Sequence, residues 1–405
     1  MSLEHHSKLL TRNCFYQLRK ISKLRTIVPR EDLEMIIHAF VSSRLDYCNS
    51  LFSCLNKKEL SRLQQVQNSA ARLLTRTNRR AHITPILKAL HWLPVTFRFN
   101  FKILVLTFRA FSLPAHIQQF IYYRHCRHFP VLLDIPDKCG GSEKSSNVFL
   151  LLVIKSSPGN FDRREVLRKT WARERQHNGL WIRRIFISGT AGSGVEKEHR
   201  DILQWDFDES FFNLTLKQIL FFEWMKHRCP NVHFLLNGDD DVFANTDGMV
   251  EYLTDLPGNN GSSHLYTGYV IYNAAPIRSS ESKYYIPNQI TAELYPPYCS
   301  GGGYLLSGHT AMVIHNMSVS TEVHPIDDVY IGMCVEKAGL LPTVHTGVKT
   351  LGLTMYNLIL DEHEPCYMKG LLLVHRFLPA QIYLMWKKIN DPHLRCGVRF
   401  GEDNV

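Results

Sequence analysis

Hydrophobic positions along the 405 residues follow two different rhythms. In the first quarter they recur at steps of three and four: Leu60, Leu63, Val66, Ala70, Leu73 and Leu74 set one apolar stripe on a helix over 59–76, with Arg62, Arg72 and Arg76 between them. A second apolar stretch, 97–111, alternates aromatic and aliphatic residues with Arg98, Lys102 and Arg109, and Pro85 and Pro94 punctuate the two. The expectation for 1–112 is a small, mainly helical segment. Residues 113–145 read as a linker, broken by Pro114, Pro130, Pro136, Gly140 and Gly141. Within it Cys126 and Cys139 leave open either a local disulfide or a loose connector.

From 146 the rhythm changes. VFLLLVI (148–154) is a continuous apolar run of strand length, as in a strand buried on both faces. Residues 162–175 predict a helix with Val166, Leu167, Thr170 and Trp171 on one side and Asp162 capping its start. IRRIFIS (182–188) predicts a second strand, 212–228 a second helix, and VHFLLN (232–237) a third strand ending at Gly238. This alternation predicts an α/β domain over 146–405, with parallel strands joined by right-handed crossovers. No apolar run approaches the roughly 18 residues of a spanning helix. The first thirty residues hold no apolar signal-peptide core. No recognisable signal-anchor is therefore expected in this chain.

Composition narrows the class. Hydrophobic residues make up 45% and charged residues 21%, which excludes a disordered chain, a collagen and a coiled-coil rod. The net charge of +10 hides an asymmetry: 1–112 hold 19 Lys/Arg and 6 Asp/Glu, a balance of +13, leaving 28 and 31, a balance of −3, for the remainder. Such a basic segment is either a solvated helical face or a nucleic-acid or membrane-surface arm. Cys14, Cys48 and Cys54 lie in it. Cys126, Cys139, Cys229, Cys299, Cys334, Cys366 and Cys396 lie beyond it, with no CxxC pair among them to suggest a zinc ribbon. Their wide spacing suits disulfides or isolated buried thiols. Together with sequons at Asn213, Asn260 and Asn316, the expected glycosylation sites, they favour a lumenal or extracellular setting.

Candidate chemistry gathers beyond residue 146. In NGDDDVF (237–243) three aspartates follow directly on a buried strand, at the end where open α/β sheets bind ligands. Carboxylates so crowded repel one another, and a divalent cation such as Mg²⁺ or Mn²⁺ relieves that while bridging to substrate phosphates. Asp239 and Asp241 share one face and Asp240 points the other way; an acidic surface turn is the alternative. In HPIDDVYIGMCVEKAG (324–339), Asp327 and Asp328 precede an apolar helical stretch, which also suits a helix N-cap. In YPPYCSGGGYLLSG (295–308), Gly301, Gly302 and Gly303 permit close backbone approach to a ligand, or form a flexible loop before a strand. His375 ends the apolar run LLLVHRF (371–377), a structural position unless a metal is near.

Two resemblances follow from longer words. SRLDYCNSLF (43–52), LQQVQNSAARLLTRT (63–77) and HITPILKALHWLPVTFRFNFKILVLTFRA (82–110) resemble the C-terminal region of reverse transcriptases from non-LTR retrotransposons, without that family's YxDD carboxylates. RREVLRKTW, DILQWDFDESFFNLTLKQ, DDDVF, YPPYCSGGGYLLSG, PIDDVYIGMC and LLLVHRFLPAQIYLMW resemble, in that order, β-1,3-glycosyltransferases of the galactosyl/N-acetylglucosaminyl type. CRHFP, SSPGNFDRRE and the ending Cys366…LLLVHRF…Cys396 are most similar to β-1,3-N-acetylglucosaminyltransferases.

The second resemblance implies a GT-A, Rossmann-like fold and Mn²⁺, with inverting transfer of GlcNAc from UDP-GlcNAc to the 3-hydroxyl of a galactose-terminated glycan on a glycoprotein or glycolipid. UDP-galactose as donor, or an inactive body fused to a nucleic-acid-binding fragment, are the alternatives. A nucleic-acid partner is not expected for a lumenal enzyme. Residue by residue, the resemblance makes Asp328 the general base with Asp327 the fallback. It makes Asp239 and Asp241 metal ligands with His375 a further one. Lys155, Ser156, Arg163, Arg168, Asp239 and Asp240 fall to the donor side; Tyr284, Tyr285, Tyr298 and Gly301 to Gly303 to the acceptor. The family is anchored in the Golgi membrane, and here the retroelement-like segment stands where the anchor is expected.

Overall fold

The computed structural model describes residues 3–396 apart from 48, 112, 193, 258–259, 292 and 351–363; Cys48 thus lies outside the described residues. The chain divides into two units, Met1–Gln118 and Gln119–Val405.

The first unit is helical: α1 (Leu3–Ser22), α2 (Arg30–Ile37), α3 (Lys57–Thr75), α4 (Ile83–Ala89) and α5 (Val95–Phe111). The stripe read in 59–76 is the buried side of α3, where Leu63, Val66, Ala70 and Leu74 pack against Leu10, Cys14, Leu18 and Ile21 of α1. Local chemistry fixes the ends of α3. The Asn56 side chain accepts from the Glu59 N–H at 3.0 Å, and Arg76, left-handed at φ 58°, closes the last turn.

The second unit is built on a nine-stranded sheet. Its strands are β1 (Val131–Leu133), β2 (Val148–Lys155), β3 (Arg175–His177), β4 (Leu180–Thr190), β5 (Ile202–Asp208), β6 (Phe234–Asp239), β8 (Tyr266–Ile271), β9 (Tyr298–Ser307) and β10 (Thr343–Val344). The order is β1-β5-β4-β2-β6-β9-β8-β10, with β3 on the side of β4. β5, β4, β2 and β6 run parallel, and β9 enters antiparallel between β6 and β8. Every residue of β2 is buried, as its unbroken apolar run requires. A smaller sheet joins β11 (Val348–Lys349), β12 (Leu373–His375) and β7 (Val242–Ala244). Among its helices are α6 (Phe161–Lys169), α7 (Leu214–Arg228), α8 (Thr246–Thr254), α9 (Gly308–Ser318), α10 (Asp327–Lys337) and α11 (Pro379–Ile389). This is the α/β, GT-A-like architecture expected, preceded by a helical segment.

Four readings are corrected. The helix expected over 162–175 stops at Lys169: Thr170 leaves helical geometry, Trp171 is buried with its Nε1–H donating to the Val242 carbonyl at 3.0 Å, and 175–177 become an edge strand. Its N-cap is Asn160, not Asp162, which sits in the first turn. The stretch 113–145 is no loose connector, since β1 pairs with β5 and Cys139 bonds Cys229 across 90 residues, leaving Cys126 a free, exposed thiol. The Asn213 sequon is folded inward: Asn213 Nδ2 donates to the Asp208 carbonyl at 2.7 Å and Thr215 Oγ1 to that of His324 at 2.7 Å, both residues being buried. The Asn213 side chain is thus already engaged within the fold, whereas those of Asn260 and Asn316 are exposed. A second disulfide joins Cys366 to Cys396, while Cys299 and Cys334 are buried thiols.

Candidate functional site

Strand register assembles the site. Parallel pairing sets Lys155, at the end of β2, opposite Asp239 at the end of β6. Antiparallel β9 sets Gly303 opposite Gly238, and β12 sets His375 opposite Val242, just past the aspartate turn. The first turn of α10 supplies Asp327 and Asp328.

Asp239, Asp241 and His375 place one ligand atom each within 4.8 Å of one another. His375 Nδ1 lies 3.0 Å from the Thr350 carbonyl, which can only accept, so Nδ1 carries a proton and Nε2 is the atom that faces the carboxylates. Nε2 is 3.0 Å from Asp241 Oδ1 and 3.7 Å from Asp239 Oδ2. The buried Asp241 Oδ1 is close to the ring yet aligned with no hydrogen-bond donor among the described residues. Two carboxylates, one of them carrying that unsatisfied oxygen, and one imidazole nitrogen fit a divalent cation. The charges behave accordingly. Burial would raise Asp241, but His375 outweighs it and holds the carboxyl below its usual range. Burial would lower His375, but Asp241 outweighs it and raises the ring. Asp239 is raised by burial against the pull of Lys155. Asp240 turns away, accepting from Asn160 Nδ2 at 2.8 Å with Arg163 Nη1 at 3.5 Å, and burial raises it as well.

Lys155 ties this cluster to α10. Its Nζ is 3.0 Å from Asp239 Oδ1, 2.9 Å from Asp327 Oδ2 and 3.0 Å from the Gly301 carbonyl. Burial opposes its charge, but the two aspartates prevail and hold it firmly protonated. Asp327 is thereby buried and committed. Asp328 is half-buried: Oδ2 accepts from the Gly301 N–H and Oδ1 from the Val329 N–H, both at 2.9 Å. Withdrawal from water, reinforced by Asp327, pushes its carboxyl up to about 7. Neither aspartate is the N-cap of α10; that position is Ile326.

The remaining candidates divide. Arg163 lies between Asp240 and Asp241, 3.5 and 3.8 Å away, with a side chain 28% exposed. Ser156 is buried and accepts from Arg164 Nη1 at 2.9 Å, Arg164 being held in turn by Glu196. Arg168 is not delivered to the donor side. Its guanidinium is buried against Asp201, Glu165 and Glu196, so its hydrogen bonds are already spent. Tyr298 is buried beside Asp328, whose charge helps burial to raise it. Tyr284 is exposed, packed edge-on to Phe211 under Lys283. Tyr285 pairs with Ile277 through its backbone, and no side-chain contact joins it to the carboxylates among the described residues. The three glycines are strand, not loop, and the space they leave is filled by protein. A Cβ on Gly302 would come within 2.9 Å of the His375 ring, and one on Gly303 within 2.4 Å of Leu373. Asn160 and Thr350 were not foreseen: their roles rest on which backbone passes which side chain, and no local motif carries that.

Residues 162–345 match the family described as Galactosyltransferase. N-acetyllactosaminide beta-1,3-N-acetylglucosaminyltransferase 3 of Homo sapiens is 51% identical over 298 residues, covering 70% of this chain and 78% of the relative. The acetylgalactosaminyl-O-glycosyl-glycoprotein beta-1,3-N-acetylglucosaminyltransferase of Homo sapiens is 45% identical over 300 residues, 70% of this chain and 77% of the relative. UDP-GlcNAc:betaGal beta-1,3-N-acetylglucosaminyltransferase 7 of Mus musculus is 43% identical over 305 residues, 71% and 75% respectively.

Proposed function

The chain belongs to the galactosyltransferase family, with β-1,3-N-acetylglucosaminyltransferases as its relatives, and from that membership we propose that it transfers N-acetylglucosamine from UDP-GlcNAc in β-1,3 linkage to a galactose-terminated glycan. The observation that carries the mechanism is the division of labour between the two aspartates of α10. Asp327 is buried under Lys155, while Asp328 stays partly open, is oriented by two backbone N–H groups, and is poised near neutral pH. A general base needs that accessibility and that proton affinity.

Asp328 takes the proton from the acceptor 3-hydroxyl as that oxygen attacks the anomeric carbon. One displacement turns an α-linked donor into a β-linked product. Asp239, Asp241 and His375 would hold Mn²⁺, which as a Lewis acid stabilises charge on the leaving diphosphate. Arg163, half-buried beside Asp240 and Asp241, faces the same anion, with Lys155 and Ser156 fixing the loop behind it. Tyr284 offers an exposed ring to the acceptor, Tyr298 packs buried beside Asp328, and Gly301 orients the base. Two disulfides and two exposed sequon asparagines suit an oxidising lumen, and the family resemblance makes that the Golgi apparatus. No helix among the described residues is long and apolar enough to cross a membrane.

Asp328→Asn is expected to abolish turnover yet keep Mn²⁺-dependent UDP binding, because the base acts on the acceptor. Asp241→Asn is expected to weaken UDP binding itself. EDTA should silence the wild type and Mn²⁺ restore it. Turnover by Asp328→Asn near the wild-type rate would remove Asp328 from the chemistry.

A further inference from the structure

We propose that the cleft at the far end of β2 from the transfer site binds an anionic saccharide chain, the remote part of a charged glycan acceptor. The inference rests on the glycan-directed reading above for its purpose, but not for its chemistry.

The cleft, of about 710 Å³, is the hollow between the 134–140 turn, the start of β2 and the start of β4. Val148 lines it and Lys155 lies at the other end of the same strand. Seven strand steps at ~3.3 Å each put it about 23 Å from the carboxylates. The Cys139–Cys229 disulfide pins its rim, so the shape is built rather than incidental.

Four cations line this hollow, Lys138, Lys144, Arg183 and Arg200, although the chain beyond residue 112 holds 28 Lys/Arg against 31 Asp/Glu. The lining carboxylates cancel them only in part. Glu174 is enclosed between Lys138 at 2.8 Å, Arg183 at 3.5 Å and the Arg184 N–H at 3.0 Å. Asp134 accepts from Trp224 Nε1 and pairs with Arg228. Asp137 alone is left to oppose Lys144 and Arg200, both exposed and without a carboxylate partner among the described residues. A concave surface with excess charge of one sign concentrates ligands of the other.

Trp181 narrows the ligand class. Its half-buried ring forms part of the wall, with the Arg183 guanidinium 4.2 Å over the ring centroid. Stacking there holds the planar guanidinium of Arg183, whose Nη1 is 3.5 Å from Glu174, and such a planar fork suits the paired oxygens of a sulfate or carboxylate. The part of the half-buried indole that Arg183 leaves uncovered puts apolar surface beside these cations, a combination that suits a sugar ring bearing such a group. An acidic peptide would use the cations but leave the ring idle. A chain reaching from here to Asp328 must be several sugars long, so the cleft would sort long charged acceptors from short neutral ones.

The test uses the full chain, a short sulfated dextran, and backbone hydrogen exchange read peptide by peptide, so that binding to the basic residues 1–112 is seen separately. Protection of 134–148 and 180–184 by sulfated dextran is expected, with none by uncharged dextran. In Lys144→Glu/Arg200→Glu, two exposed substitutions, that protection should be lost. The KM for a sulfated polymeric acceptor should then rise about tenfold, while turnover of a short neutral acceptor stays at the wild-type level. No protection in the wild type, or equal protection by poly-glutamate, would overturn the proposal. Local protection without any transfer to the neutral acceptor would instead refute the transferase reading and leave the saccharide site standing.

Discussion

Burial and the neighbouring Asp327 keep Asp328 protonated until the pH nears about 7, and a base works only in its ionised form. At saturating Mn²⁺, kcat/KM is therefore expected to climb with pH and level off above about 7. A flat profile from pH 5 to 8 would assign the proton to another group. The effect on stability has the opposite sign. A carboxyl raised in the folded state favours folding fully below about 3.9, the ordinary aspartate value, and that contribution is lost as pH rises through about 7. Gly302 is the other telling residue. The His375 ring occupies the place where a Cβ would go, 2.9 Å away, so Gly302→Ala must displace a ligand without touching the carboxylates. Mn²⁺ affinity is expected to fall about tenfold, the usual effect of disturbing a ligand's support, as measured by calorimetric titration of the metal into the protein. The aspartates and His375 stand out in the sequence because charge at the end of an apolar run is conspicuous. Thr350 and Asn160 do not, since a carbonyl or an amide becomes a partner only once another strand is laid beside it.

Elements were legible where one signal dominated. β2 reads as a strand because eight consecutive buried residues leave no polar face, and α3 reads as a helix because its apolar stripe has the helical period. Boundaries failed where tertiary contacts cut across the pattern. The 162–175 periodicity continues through Trp171, yet the indole is drawn down to the Val242 carbonyl and the chain turns into an edge strand. The glycine run in β9 looked like a loop because glycine disfavours strands; it is a strand because only glycine lets β12 pass so near. The turn at 134–140 belongs to the sheet because Cys139 is bonded to Cys229, 90 residues on. Closing a loop of that length constrains the unfolded chain by about 4.6 kcal/mol. Cys139→Ser/Cys229→Ser is expected to lose stability of that order in denaturant unfolding, and a loss below about 1 kcal/mol would show that the sheet holds the turn without it.

Each unit carries its own core: α1, α2 and α3 around Leu63 and Val66 in one, and the apolar layer around Leu150, Trp171 and Phe243 in the other. All carboxylates of the candidate site, the two disulfides and both exposed sequon asparagines fall in the second. The 119–405 piece, expressed into an oxidising compartment, is therefore expected to keep the specific activity of the full chain within a factor of about two, which is ~0.4 kcal/mol in the barrier. A loss of tenfold or more would give the helical unit a part in catalysis.

Sequence alone determined the class of the second unit, its parallel core strands, the helical nature of the first, and which carboxylates are the candidates for the chemistry. Those features are written in local periodicity and in charges abutting apolar runs, and neither needs distant residues to be seen. Tertiary structure decided which aspartate of 327 and 328 is free, since Lys155 arrives from 172 residues away to occupy the first. It decided that Arg168 is spent on Asp201 and that Asn213 is sealed by Asp208. It also decided that cations scattered between 138 and 200 meet around Trp181 in one cleft. These outcomes depend on strand order and register, which bring together residues whose separation along the chain says nothing about their distance in space.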